Sequence, residues 1–213
     1  MARTRGNGIS DLIRSDIIGG LLPMGTRLQI DALALRYGVS HMPVREALRE
    51  LRGEGLVTIE PNVGARVREL DASFVESVFD VRNAIESLMA QRAATRRSEG
   101  DIAAMLSAQG GFERAVAAGD PRDILRGNRE VHDAIYRASK NQAAFDLFKL
   151  HWVLVTTLVD TYGFDAERMQ GEVTEHAYMI HAIVKGDAQA VSTVMAAHIE
   201  RAKRDLLDRL APH

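Results

Sequence analysis

From about Leu70 to the end of the chain every strand signal disappears, and nothing else in the sequence limits the fold so strongly. What remains is a series of helix-length stretches with apolar residues three and four positions apart. Breakers cut them at Gly100, Gly119-Asp120-Pro121, Lys140-Asn141, Gly163 and Gly186-Asp187. That spacing lines apolar side chains along one helix face, and Gly, Asn or Pro between stretches ends each helix. Helices are therefore predicted over about 73–97, 99–118, 122–139, 143–162, 166–185 and 187–210. In the first, Asp71 or Ser73 is the candidate cap, and Phe74, Val78, Val81, Ile85 and Leu88 are the expected buried positions. No stretch is hydrophobic all round, and short breaks place successive helices antiparallel. Residues 71–213 are thus expected to form an all-α antiparallel bundle of about six helices.

Composition agrees with packed helices. Aromatic residues are only 5%, so Ala, Leu, Val and Ile must build the core. With 46% hydrophobic and 26% charged residues the chain is not of the disordered type. The absence of Cys excludes disulfides and Cys-based metal or redox sites, and it fits a reducing compartment. The basic start MARTRGNGIS has no apolar stretch behind it, as a secretory signal would require. Apolar runs are far shorter than the roughly 20 residues that span a bilayer. A soluble cytoplasmic protein with no membrane partner is expected.

Residues 1–70 read differently. Ile9, Leu12, Ile13, Ile17 and Ile18 fall at helical spacing before Gly19-Gly20, and LLPMGTRL makes a turn on Pro23 and Gly25. A short helix follows over about 30–37, with Ala32, Leu33 and Leu35 as its apolar positions and Gly38 at its left-handed end. Ser40 is placed to cap a third helix over 41–53. Val44, Ala47, Leu48 and Leu51 give it one apolar face, and His41, Met42, Arg45, Arg49 and Arg52 face outward. Pro43 is tolerated there because first-turn N–H groups have no helical partner. Two short strands then flank a turn at Pro61–Gly64. Short helices around a tight Gly turn, followed by a hairpin, outline a winged helix-turn-helix. Such a fold sends one helix into the DNA major groove while its other face holds the core. The alternative is an ordinary solvated arginine face. Ten arginines against eight acidic residues make 1–70 slightly basic, while the rest carries 17 basic and 21 acidic residues. This asymmetry permits nucleic-acid binding by the head without requiring it.

The body holds a second group of interest. Asn128 and His132 are four residues apart and so share a helix face, and His176 and His198 lie on two later helices. Inward-facing residues of three helices can converge on one ion, and imidazole is a common ligand of zinc or nickel. A buried His is nonetheless more often a hydrogen-bonded core residue. Arg82 falls on the inward stripe of the first body helix, so it needs an anion: either Glu86, four residues on, or the carboxylate of a bound effector. His151 and Trp152 are weaker candidates for a cavity lining, and His213 lies at the tail.

The phrase VSHMPVREALRELRGEGLVTIEPNVGARV at 39–67 resembles the DNA-binding domain of the GntR family of bacterial transcription regulators. The body resembles the FCD type of effector domain through VRNAIESLMAQRAA (81–94), NREVHDAIYRASKN (128–141) and EHAYMIHAIVKGDAQAVSTVMAAHIERA (175–202). The resemblance implies a winged helix-turn-helix DNA-binding domain at 1–70 and an effector-binding and dimerisation domain at 71–213. It implies DNA contacts from Ser40, His41, Met42, Arg45, Arg49, Asn62, Gly64 and Arg66. His41 and Met42 depart from the Arg and Thr common at these positions, and Met42 suits an apolar contact such as a thymine methyl. The resemblance also implies a divalent transition metal, zinc or nickel, on His132, His176 and His198. Asn128 stands where the family usually has Asp. Arg82 would grip the effector.

The expected function is therefore a homodimeric repressor of transcription that reads an inverted repeat in double-stranded DNA and answers to a small carboxylate or sugar acid. Two rival classes exist. In a metal-dependent hydrolase, Glu172 and Glu175 would be the only acid or base candidates near His176. Helix-surface carboxylates are usually just solvated, and no HExxH motif is present. The other rival is a DNA-binding protein whose body only dimerises. A non-enzymatic regulator is the expectation.

Overall fold

A computed structural model describes residues 8–60, 63–69, 71–163 and 166–210. The chain divides into two compact units, Met1–Asp71 with Leu150–Thr161, and Ala72–Lys149 with Tyr162–His213. Leu70, Pro61 and Asn62 lie outside the described residues, as do His213 and the side chain of His151.

The first unit holds α1 (Ile9–Ile18), β1 (Arg27–Leu28), α2 (Ile30–Tyr37), α3 (His41–Gly53), β2 (Val57–Glu60) and β3 (Gly64–Val67). All three helices match their expected spans. The strands form an antiparallel sheet in the order β1-β3-β2, with Leu28 opposite Ala65 and Ile59 opposite Ala65 on the other side. Strand β1 went unpredicted because two residues cannot show an alternating pattern; only its pairing with β3 defines it. Ile13, Ile17, Leu33, Val44, Leu48, Leu51 and Val57 make the core. Ala32 and Leu35, expected inside, are exposed instead, and Ala34 is buried with Leu33. The eight-residue α2 is held on one narrow edge only, so a third apolar position has nothing to pack against.

Polar ties fix the helices to one another. Arg14 on α1 donates from Nε to Glu54, just after α3, at 2.9 Å. Asp16 accepts from Tyr37 at 2.7 Å and pairs with Arg36 at 2.7 Å, joining α1 to the end of α2. Gly38 turns the chain between α2 and α3 at φ 66°, a left-handed conformation that costs glycine no steric strain.

The second unit is built from α4 (Ala72–Arg96), α5 (Glu99–Ala118), α6 (Pro121–Ala138), α8 (Ala166–Lys185) and α9 (Ala188–Leu210), with residues 142–149 of α7 (Gln142–Tyr162). Helix α4 packs on α9 and α6, α5 on α6 and α8, and α8 on α9. Ser98 and Asp101 cap α5 reciprocally, and Asp120 caps α6 by accepting from the amides of Arg122 and Asp123, with Pro121 at the first helical position. Gly127 lets α6 approach α5 closely: a Cβ there would lie 3.0 Å from the Cα of Phe112.

The buried face of α4 differs from the expected one. Val75, Val78, Phe79, Arg82, Glu86, Met89, Ala90 and Ala93 point inward. Val81 and Leu88, expected inside, are 45% and 40% exposed. Apolar residues lie on two adjacent stripes of this helix, and the stripe that also carries Arg82 and Glu86 is the buried one. Its charged pair finds partners inside the bundle.

Candidate nucleic-acid interface and metal centre

On α3 the apolar stripe Val44, Ala47, Leu48 and Leu51 is buried, which leaves Arg45 and Arg49, one turn apart, exposed on the opposite side. Among the described residues neither has an ion-pair partner. Both line a cleft with Arg27, Gln29, His41 and Gly64, bounded by α3 and the hairpin. Ser40 occupies the cap position in an extended conformation but makes no capping hydrogen bond, so its hydroxyl is uncommitted to the helix. Met42 is 63% exposed at the helix start. The ring of His41 is drawn towards Asp31 on α2, with Nε2 3.1 Å from the carboxylate. Gly64 opens β3 at φ 96°. Arg66 is exposed on β3 and donates to the Gly25 carbonyl at 3.0 Å, which anchors it more than expected. Arg27 joins this surface without any sequence signal of its own, because the β1–β3 pairing alone brings it there.

The second site lies inside the bundle. Histidines 132, 176 and 198, from α6, α8 and α9, are all buried, and one ligand nitrogen from each lies within 4.8 Å of the others. Hydrogen bonds to neighbouring side chains hold two of the rings. Tyr136 donates to Glu86, which can only accept as a carboxylate, so its oxygen accepts from Nδ1 of His132 at 2.7 Å. Burial, then the charge and hydrogen bond of Glu86, push the Tyr136 phenol well above its usual range, so it keeps the proton it donates. On α9, His198 donates from Nδ1 to Glu175 at 2.7 Å, and Glu175 also pairs with Arg201. Burial pushes the Glu175 carboxyl up, but hydrogen bonds and charge from His198 and Arg201 outweigh it and hold the group below its ordinary value.

Nε2 of His132 and Nε2 of His198 lie 3.2 Å apart. Neither nitrogen of His176 has a hydrogen-bond partner among the described residues, although both are shielded from solvent. Burial, reinforced by the neighbouring histidines, drives His132 and His176 well below the usual imidazole pKa, which favours the neutral, ligating form. Buried polar atoms are normally satisfied, and unsatisfied ones cost about 1–3 kcal/mol each. Converging imidazoles backed by carboxylates are the donor set of a transition-metal site. The residues present fit such an ion.

Asn128 sits one turn before His132, as expected, and donates from Nδ2 to Glu172 at 3.0 Å. Glu172 and Glu175 are not the solvated carboxylates anticipated: Glu172 is 3% exposed and Glu175 backs His198. Arg82 is also buried, at 4%, and is held by Glu86 at 2.6 Å with its guanidinium over the Phe79 ring. The partner within its own helix is the one observed. Trp152 is buried but belongs to the first unit.

A winged-helix head of three helices and a three-stranded sheet, with a helical body enclosing three histidines, defines a class: the DNA-binding regulator with a separate helical domain. The chain belongs to the bacterial regulatory proteins of the gntR family, matching that family's model over residues 6–67, and carries an FCD domain over residues 77–201. It is a DNA-binding transcription regulator, and this family is not one of enzymes. It is 25% identical over 194 residues to a probable D-xylose utilization operon transcriptional repressor of Paenarthrobacter nicotinovorans, covering 90% of this chain and 84% of that one. It is 26% identical over 190 residues to the HTH-type transcriptional repressor RspR of Escherichia coli K12, covering 89% and 83%. The fold matches that of E. coli McbR/YncC with a TM-score of 0.76 at 20% identity, over 95% and 97% of the two chains.

Proposed function

We propose that the protein is a homodimeric, ligand-responsive repressor whose residues 1–70 bind operator DNA and whose residues 71–213 bind the effector and dimerise. Each α3 enters a major groove, with Arg45 and Arg49 reaching bases or phosphates, and Ser40, His41 and Met42 at the helix start. Gly64 and Arg66 of the hairpin, with Asn62 beside them, approach the backbone or minor groove. A twofold dimer reads an inverted repeat because its symmetry mirrors that of the site. Repression is supported by the two relatives named as repressors. No helix among the described residues is long and apolar enough to cross a membrane, in keeping with work on DNA in the cytoplasm.

The body holds zinc or nickel on His132, His176 and His198, with the oxygen of Asn128 as a fourth donor. The observation that carries this is the convergence of three buried histidines, with both nitrogens of His176 unsatisfied among the described residues. Three imidazoles and an amide are all neutral, so the ion keeps its full charge and favours an anionic effector, a small carboxylate or sugar acid. Arg82 can grip that effector only by exchanging Glu86 for it. A ligand controls DNA binding only as far as it favours one conformation, usually by about 1–3 kcal/mol. The test is metal analysis of untagged protein purified without chelator, followed by operator binding with and without organic acids. Protein free of metal, and DNA affinity unmoved by any acid, would overturn the reading. Titration of Arg82→Ala with an active acid then decides the arginine's part, since unchanged affinity removes it from the site.

A further inference from the structure

Glu172 lies one turn before His176 on α8, as Asn128 lies one turn before His132 on α6, and the two side chains are hydrogen-bonded to each other. Glu172 is buried and ion-paired with Arg168, which also donates to Asp205 at 3.0 Å. A carboxylate can only accept, so the amide of Asn128 must turn its NH2 group to Glu172. Its oxygen Oδ1 then faces away, shielded from solvent and without a hydrogen-bond partner among the described residues, like both nitrogens of His176.

We propose that Glu172 is the positioning residue of the metal centre: it fixes Asn128 so that the amide oxygen is presented as a ligand, and it supplies from one hydrogen bond away the negative charge that Asn128 lacks. The inference rests on the metal reading above. An amide whose NH2 binds a carboxylate carries more negative charge on its oxygen, because linked hydrogen bonds polarise one another. The carboxylate thus strengthens a weak neutral donor while leaving the ion's own shell uncharged and open to an anion. The centre separates two tasks that a single Asp would combine.

The experiment exchanges amide and acid. Chelator-stripped wild type, Glu172→Gln, Asn128→Asp and the double variant are titrated with Zn2+ against a chromophoric competitor, with circular dichroism and thermal unfolding to confirm folding. Glutamine at this position on α8 no longer dictates which way Asn128 points, so Glu172→Gln is expected to lose about 10–100-fold in affinity. In the double variant the new amide on α8 donates to the new carboxylate on α6, whose second oxygen faces the ion. Affinity is then expected to return to the wild-type level or above. Wild-type affinity in Glu172→Gln, or losses in the two single variants that simply add in the double, overturns the proposal alone. Failure of the wild type to take up zinc overturns the metal reading as well. Should Glu172→Gln not fold, the re-paired double variant carries the test, and a folded double that binds no zinc overturns the proposal.

Discussion

Nε2 of His132 and Nε2 of His198 stand 3.2 Å apart, and each ring has committed its other nitrogen, to Tyr136 and to Glu175. The flanking hydrogen bonds orient these two rings, and the third, His176, has neither nitrogen satisfied among the described residues. An ion bound by the three rings would satisfy it, so the cluster gains stability with metal. Zinc added to stripped protein at one hundred times its Kd is expected to stabilise by about 2.7 kcal/mol, roughly 5–10 °C in Tm. His198→Ala should show no zinc-dependent rise. Differential scanning calorimetry with and without chelator checks both.

The exposed arginines of α3 should separate into two kinds of contact. If Arg49 meets a phosphate, Arg49→Ala weakens binding to all sequences and lowers the salt slope by about 1. If Arg45 meets a base edge, Arg45→Ala costs about 1–3 kcal/mol on the operator and much less on unrelated DNA. Fluorescence anisotropy over a salt series distinguishes them. Both variants should fold normally, since neither side chain is in the core.

Arg82 and Glu86 form a buried pair, with Tyr136 also bound to the carboxylate. Glu86→Ala strands a buried guanidinium and a buried phenol, so a loss of about 3–5 kcal/mol is expected in urea unfolding. Replacing both charges by leucine and methionine should cost less than Glu86→Ala alone. A double loss equal to the sum of the singles would show that the pair is not coupled.

Asp101 carries a pH dependence on the acid side. The Lys140 ammonium, 2.7 Å away, and the Ser98 amide at the α5 cap lower its carboxyl from 3.8 to about 2. The folded value lies below the unfolded one, so the stabilisation is complete above about pH 4 and is lost as pH falls towards 2. Lys140 is half exposed, and solvent screening reduces the contribution to about 0.5–1 kcal/mol. Asp101→Asn should flatten the stability profile in this window, measured by urea unfolding from about pH 6 down to about pH 2.

Gly127→Ala should destabilise by about 1–3 kcal/mol, because the new methyl meets the Phe112 backbone and the two helices must part. Asn128 is the next residue, so zinc affinity should fall with it. A stable variant with unchanged zinc binding would mean that α6 shifts without disturbing the centre.

The helix spans, their breaks and the inner face of α3 were legible in the amino-acid sequence, because periodicity, caps and glycine turns act over a few neighbouring residues. Asn128 and His132 could be placed on one face by the same local rule, but joining them to His176 and His198 took the family resemblance, since spacing alone cannot say that three helices converge. Only the tertiary structure decided which stripe of α4 is buried, that Arg27 belongs to a strand, and that Glu172 and Glu175 bond Asn128 and His198 instead of facing water. Each of these depends on a partner far along the chain: Glu172 on Asn128, 44 residues away, Glu175 on His198, 23 away, and Glu86 on Tyr136, 50 away. A carboxylate on a helix looks the same in sequence whether solvent or another helix covers it, and the free energy of its charge is set by that covering.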